Sequence, residues 1–338
     1  MKKFFQKNWF GLLSITISFI ILASLIFSEG IGKFYSILVN LDIYFLLCAF
    51  AAIILYCILD GFILFLLAKI KYKSYNFFAA LKTSVIGLFY SAITPLAIGG
   101  QPVQIVNMTR AKIKFGDAAS FIIIKMIVYQ VGLILYSLAP IFFRVHFDVP
   151  NFWGLAMAAL FLNSIFILSI IFVCIKKDLV IKICQVYVNF FSKTKFFRLK
   201  NPDSTLKKII EQINLFNEST KIIESKKFHL LLVSLLTFLQ LSIYYSIAYF
   251  VLKSFGIACN IFNVIFITSL IYMITAFVPI PGASGANEGA FFIFFRSLLS
   301  QNSVIPIIFV WRFITYYFLI FVGGVIIIID MLKRRTNL

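Results

Sequence analysis

Acidic residues are scarce in this chain of 338 residues: 12 Asp and Glu stand against 31 Lys and Arg, and only 13% of positions are charged. So few charges leave too little polar surface for a water-soluble globule. Histidine occurs twice, as His146 and His229, with no metal-ligand spacing around either, so no metal ion is expected. The five cysteines (Cys48, Cys57, Cys174, Cys184, Cys259) are scattered without a CxxC pair, which argues against a disulfide or zinc framework. A P-loop lysine motif is lacking, so ATP is not the expected driver. Gly282, Gly285 and Gly289 form no GxGxxG after a strand, so no nucleotide cofactor is expected either. A Ser-His-Asp set cannot be assembled convincingly, and no catalytic residue is assigned.

What the chain has is hydrocarbon: 62% of its residues are hydrophobic, with a mean hydropathy of +1.02. The expected fold class is an all-α polytopic membrane protein. A net charge of +19 would suggest nucleic acid in a soluble protein, but here the basic residues lie in short loops between apolar runs. There they set topology and face anionic lipid. Lys2, Lys3 and Lys7 precede an apolar run at 9–27 that is too long for a signal peptide, so it reads as a retained first span. Further spans are expected at 41–67, 117–143, 152–175, 228–252 and 304–330, each clearing the roughly 20 residues a bilayer needs.

Two other apolar segments, 77–116 and 262–300, are interrupted. The first is broken at Pro95, Gly99, Gly100 and Pro102, the second at Pro279, Pro281, Gly282 and Gly285. Irregular backbone at membrane depth survives only where protein buries it or a wet cavity solvates it. The basic loops decide how these segments run. With Lys2, Lys3 and Lys7 cytoplasmic, segment 77–116 must return to its own side for Arg110, Lys112 and Lys114 to lie inside; 262–300 must likewise return outside for Lys333, Arg334 and Arg335 to be inside. This arrangement leaves Lys33, Arg144, Lys253 and Arg296 outside and Lys82, Lys125 and Arg312 in the membrane. The expected architecture is therefore six full spans plus two oppositely oriented re-entrant hairpins, with both termini cytoplasmic.

The halves also match in detail. Lys125 is the ninth residue of its span and Arg312 the ninth of its own; each is followed four residues later by a tyrosine, Tyr129 and Tyr316. Gly100 lies 25 residues before Lys125, and Gly285 lies 27 before Arg312. The expected organisation is an inverted repeat, 41–143 and 228–330, joined by a basic cytoplasmic connection at 176–227. That connection holds two amphipathic helices, with Leu179, Ile183, Tyr187 and Phe190 striping the first and Leu206, Ile209, Ile210, Ile213 and Phe216 the second.

Intramembrane cations are expensive, so they usually face a partner or a cavity. Lys125, Arg312 and Glu288 are the expected substrate-binding charges, with Asn287, Gln101, Gln104, Tyr129 and Tyr316 beside them. Lys125 can instead snorkel to the interface, and Arg312 can serve as the structural partner of Glu288. Asp60 can reach the interface or pair with Lys82.

These motifs resemble the flippase-like transmembrane region of the lysylphosphatidylglycerol synthase (multiple peptide resistance factor) family. The matching stretches are Thr94-Pro95, Gly99-Gly100-Gln101-Pro102 with Gln104, Pro279 to Glu288, and Arg312 to Tyr317 with Gly323-Gly324. The resemblance implies a bacterial inner- or plasma-membrane protein tied to aminoacylated phospholipid and cationic-peptide resistance. It is expected here as a stand-alone form, without the cytosolic domain that transfers lysine from lysyl-tRNA. The leading expectation is translocation of an anionic or aminoacylated phospholipid headgroup, or of a polyprenyl-phosphate lipid. The expected partner is phosphatidylglycerol or its aminoacyl derivative, with a separate synthase chain as a second partner. The alternatives are a membrane component of phosphatidylglycerol lysyltransferase and a secondary transporter for a small solute.

Overall fold

A computed structural model of the chain describes residues 39–142, 152–193, 202–296 and 304–336; the expected first span at 9–27 lies outside them. Helix α1 (Ile43–Lys69) starts where the Asp42 side chain accepts from the Tyr44 amide. A helical hairpin follows, α2 (Phe77–Ile93) and α3 (Gly100–Arg110), its arms packed together around a 3-10 turn at Pro95–Ala97. Then come α4 (Phe115–Phe142), α5 (Phe152–Ile175), α6 (Lys177–Lys193), α7 (Pro202–Ser225) and α8 (Lys227–Ser254). The second hairpin pairs α9 (Ile261–Thr275) with α10 (Ala286–Phe295) around a 3-10 turn at Pro281–Ala283. The last stretch is α11 (Val304–Arg312), a π-helical turn (Phe313–Tyr317) and α12 (Phe318–Thr336). Among the described residues five helical stretches are long and apolar enough to cross a membrane: α1, α4, α5, α8, and the run from Val304 to Asp330. The protein is an all-α polytopic membrane protein.

The interior is layered along the helices. One apolar cluster gathers Ile53 and Tyr56 of α1 with Leu241 and Tyr245 of α8, Ile271 of α9 and Trp311 of α11. A second holds Ile63 and Leu67 of α1 with Phe121 of α4 and Val233 of α8. Between them α1, α4 and α8 contribute Asp60, Lys125 and Gln240, so a polar layer divides two dry ones. A third cluster joins Ile86 and Phe89 of α2 to Ile327 of α12. Gly323 is required there, because a Cβ would lie 2.5 Å from the Phe89 Cβ. Lys82 of α2 pairs with Asp330 of α12, not with Asp60. The alternative of a Lys82–Asp60 pair is thus corrected: Lys82 meets an acid 248 positions further along the chain.

At the end where α1 finishes and α4 begins, Asp117 is fully buried. It receives Lys71 Nζ at 3.0 Å, Ser219 Oγ of α7 at 2.5 Å and the Tyr72 hydroxyl. Burial, with the hydrogen bond to Asp117, pushes the Tyr72 phenol up to about 12, so it stays a proton donor at neutral pH. This knot pins α7 against α4. The stripe of α6 behaves differently: Leu179, Ile183 and Tyr187 are exposed, as an interfacial helix facing lipid would be.

Candidate functional site

The two breaks repeat one backbone path. In each, a proline opens a 3-10 turn and the next two residues take the left-handed conformation: Leu96 (φ 53°) and Ala97 (φ 54°) after Pro95, Gly282 (φ 62°) and Ala283 (φ 46°) after Pro281. Non-glycine residues held there are strained and persist only where their surroundings impose it. The two breaks touch each other, yet Pro95, Leu96, Ala97 and Ile98 remain exposed, so the first depends on a wet or open setting and not on burial.

The second break is held by the charged residues next to it. Glu288 sits in the first turn of α10 and accepts the Gly285 amide at 2.7 Å, one half of a capping box, since Gly285 has no side chain to complete the other. Arg312 Nε lies 2.7 Å from Glu288 Oε1, a charge contact rather than an aligned hydrogen bond, while Nη2 donates to the Gly282 carbonyl at 3.0 Å and to Ser284 Oγ at 3.3 Å. Asn287 donates to the same Gly282 carbonyl and accepts from Thr275 Oγ1 at 2.7 Å. The guanidinium carbon lies 4.5 Å from the centroid of the Tyr316 ring, and a Cβ on Gly282 would lie 2.2 Å from that ring. The π turn starts directly after Arg312, a distortion frequent at functional sites. Gly282→Ala is expected to lower stability by about 2–4 kcal/mol, from left-handed strain plus overpacking, with loss of Tyr316 seating. A thermal unfolding midpoint equal to wild type would show that the break relaxes freely.

The other charge sits in the polar layer. Lys125 Nζ lies 2.5 Å from Asp60 Oδ2, which also accepts from the Ser84 hydroxyl of α2, while Asp60 Oδ1 accepts from Gln240 of α8 at 2.9 Å. Lys125 is eight residues into α4 from Asp117 and Asp60 nine residues before Lys69. Both therefore lie roughly 12–14 Å from the helix ends that Lys71 and Asp117 tie together. The ammonium turns inward to an acid, which answers the snorkelling alternative.

The cation of each pair borders a hollow. Arg312, Asn287 and Tyr316 line a cavity of about 240 Å³; Lys125, Asp60, Gln101 and Gln104 line one of about 220 Å³. The two share Tyr56, Leu88, Ser91, Ala97 and Tyr129, so they adjoin through a tyrosine partition. Either volume corresponds to about seven or eight waters at 30 Å³ each, enough for a phosphate group with hydration. Leu96 and Ile280 line the Arg312 cavity and are themselves exposed, so its rim is apolar.

Of the residues singled out from sequence, Gln104 is buried and packs on Gly87, where a Cβ would lie 2.2 Å from its amide. Glu288 holds the break but does not line the cavity. Asp60, Ser84 and Gln240 were not among the expected site residues, nor were Tyr56, Tyr244 and Tyr272. The signal for Asp60 was present: it is an acid inside an otherwise apolar span.

This geometry belongs to a chain whose residues 11–323 match the family model described as the lysylphosphatidylglycerol synthase TM region. The chain belongs to this family. A UPF0104 membrane protein of Archaeoglobus fulgidus is also similar, 22% identical over 264 residues that cover 77% of this chain and 78% of the relative. Membership in the lysylphosphatidylglycerol synthase TM-region family carries a lipid-related function in the membrane, and both hairpin breaks and both charge pairs fall inside the matched range.

Proposed function

We propose that the chain translocates the headgroup of an anionic or aminoacylated phospholipid, or of a polyprenyl-phosphate lipid, between leaflets. The supporting observation is the pair of adjoining cavities, one bordered by Arg312 and the other by the Lys125–Asp60 pair, with a shared tyrosine wall. A phosphate would move from one cation to the other while its tails stay in lipid beyond the apolar rim of Leu96 and Ile280. That rim favours a lipid over a small water-borne solute. In this reading the two hairpins enter from opposite faces and form an inverted repeat, 41–143 and 228–330, and the membrane is a bacterial inner or plasma membrane with both termini cytoplasmic. Phosphatidylglycerol or its aminoacyl derivative is the expected cargo, in keeping with the family's name.

Proteoliposomes containing labelled phosphatidylglycerol test the proposal. The purified chain is expected to expose inner-leaflet lipid to an external quencher faster than empty vesicles do, and phosphatidylcholine more slowly. Equal rates with and without protein, across phosphatidylglycerol, its lysyl derivative and a polyprenyl phosphate, would overturn it. The family name also favours a second reading, a membrane component of phosphatidylglycerol lysyltransferase. Incubation with charged tRNA and phosphatidylglycerol separates the two, since only the second yields lysyl-lipid.

A further inference from the structure

We propose that the groove bounded by α4, α5, α6 and α7 binds a resident anionic phospholipid at a site separate from the central cavities. One acyl chain would lie along α4, with its phosphate between Lys177 and Lys208.

The groove arises from a close contact that then opens. The Gly116 amide donates to Gln212 Oε1 at 3.0 Å, and a Cβ on Gly116 would lie 2.2 Å from the Gln212 carbonyl, so α4 and α7 touch there. Beyond that point a hollow of about 460 Å³ remains, about twice either central cavity. Its walls are Ala119 and Ile123 of α4, Val173 of α5, Val180 of α6, and Ile209 and Ile213 of α7. Lys177 and Lys208 also line it, and no acidic side chain among the described residues does. It shares no lining residue with either central cavity.

The surroundings identify the occupant. Leu179 and Ile183 on α6 are exposed and apolar, so the neighbouring medium is lipid at the headgroup boundary. A hydrocarbon wall there draws an acyl chain. Two ammonium groups in a lining that contains no carboxylate select a phosphate that carries net negative charge, as basic pockets beside membrane helices do, with Asp178 and Glu211 nearby on the same helices but outside the lining. A zwitterionic lipid would fill the same wall but gain less from the lysines.

Cys184 also lines the groove and serves as the reporter. The full chain, with Cys48, Cys57, Cys174 and Cys259 replaced by alanine, is delipidated and treated with N-ethylmaleimide while phosphatidylglycerol or phosphatidylcholine of identical chains is titrated. Phosphatidylglycerol is expected to protect Cys184 at concentrations about tenfold or more below those phosphatidylcholine needs, from two lysine–phosphate contacts. Lys177→Gln with Lys208→Gln should remove that preference, and native mass spectrometry should show one fewer retained phosphatidylglycerol. Equal protection by both lipids would overturn the proposal in favour of ordinary annular contact. A Cys184 that resists labelling before any lipid is added would overturn it in favour of cover by protein. Lys125→Met should leave the protection unchanged, so failure of the translocation reading and failure of this one give different results.

Discussion

Replacing Arg312 with methionine should abolish headgroup translocation and lower the stability of the fold by about 3–5 kcal/mol, the range for stripping one partner from a buried ion pair. The side chains of Arg312 and Glu288 are only 3% and 8% exposed, so neither charge can turn to water when the other is lost. Glu288 would keep the Gly285 amide, and the Gly282 carbonyl would keep Asn287, but the carboxylate would stand uncompensated. The double variant Arg312→Met with Glu288→Gln removes that stranded charge. Its thermal midpoint should recover most of the loss while flux in proteoliposomes stays at the level of empty vesicles. A double variant that moves lipid normally would reduce Arg312 to a brace for the break. One as unstable as the single variant would show that the lost contacts to Gly282 and Ser284 dominate, not the charge.

The Lys125 pair should respond differently, because its acid has neutral donors in reserve. After Lys125→Met, Asp60 still accepts from Ser84 and Gln240, so the stability loss should be nearer 1.5–3 kcal/mol, the worth of one hydrogen bond to a charged group. Asp60→Asn leaves an ammonium, 11% exposed, facing only neutral partners, and should be the more damaging change to the fold, by about 3–5 kcal/mol. Translocation should separate the two roles. Lys125→Met is expected to reduce flux roughly ten- to a hundredfold, as loss of one charge-assisted phosphate contact implies. Lys125→Arg should retain much of the flux because the charge persists. If the arginine and methionine variants are equally slow, packing at this position matters and its charge does not.

Local chemistry was legible in the sequence and long-range pairing was not. Pro95 with Gly99 and Gly100 behind it, and Pro281 with Gly282 directly after it, announced the breaks in apolar runs, and charges as costly as Lys125 and Arg312 announced themselves by their setting. The pairing of Glu288 with Arg312 could be guessed because few acids were within reach. Asp60 could not be placed beside Lys125 by the same logic: nothing local ranks Lys125 above Lys82, and the choice is made by how α1, α2 and α4 pack. Gln240 joins Asp60 from 180 positions away, and Tyr56, Tyr244 and Tyr272 look like ordinary members of apolar runs until three helices bring them together. The π turn after Arg312 leaves no mark in composition.

Since Lys125 and Arg312 each keep a carboxylate within 3 Å, the protein presents self-neutralised pairs to whatever passes between them. Under the translocation proposed above, a transmembrane voltage would then act on the headgroup and very little on the protein. For a singly charged phosphate leaving a negative interior this amounts to about 2.3 kcal/mol per 100 mV in favour of exit, whereas a headgroup whose charges cancel would feel almost none of it.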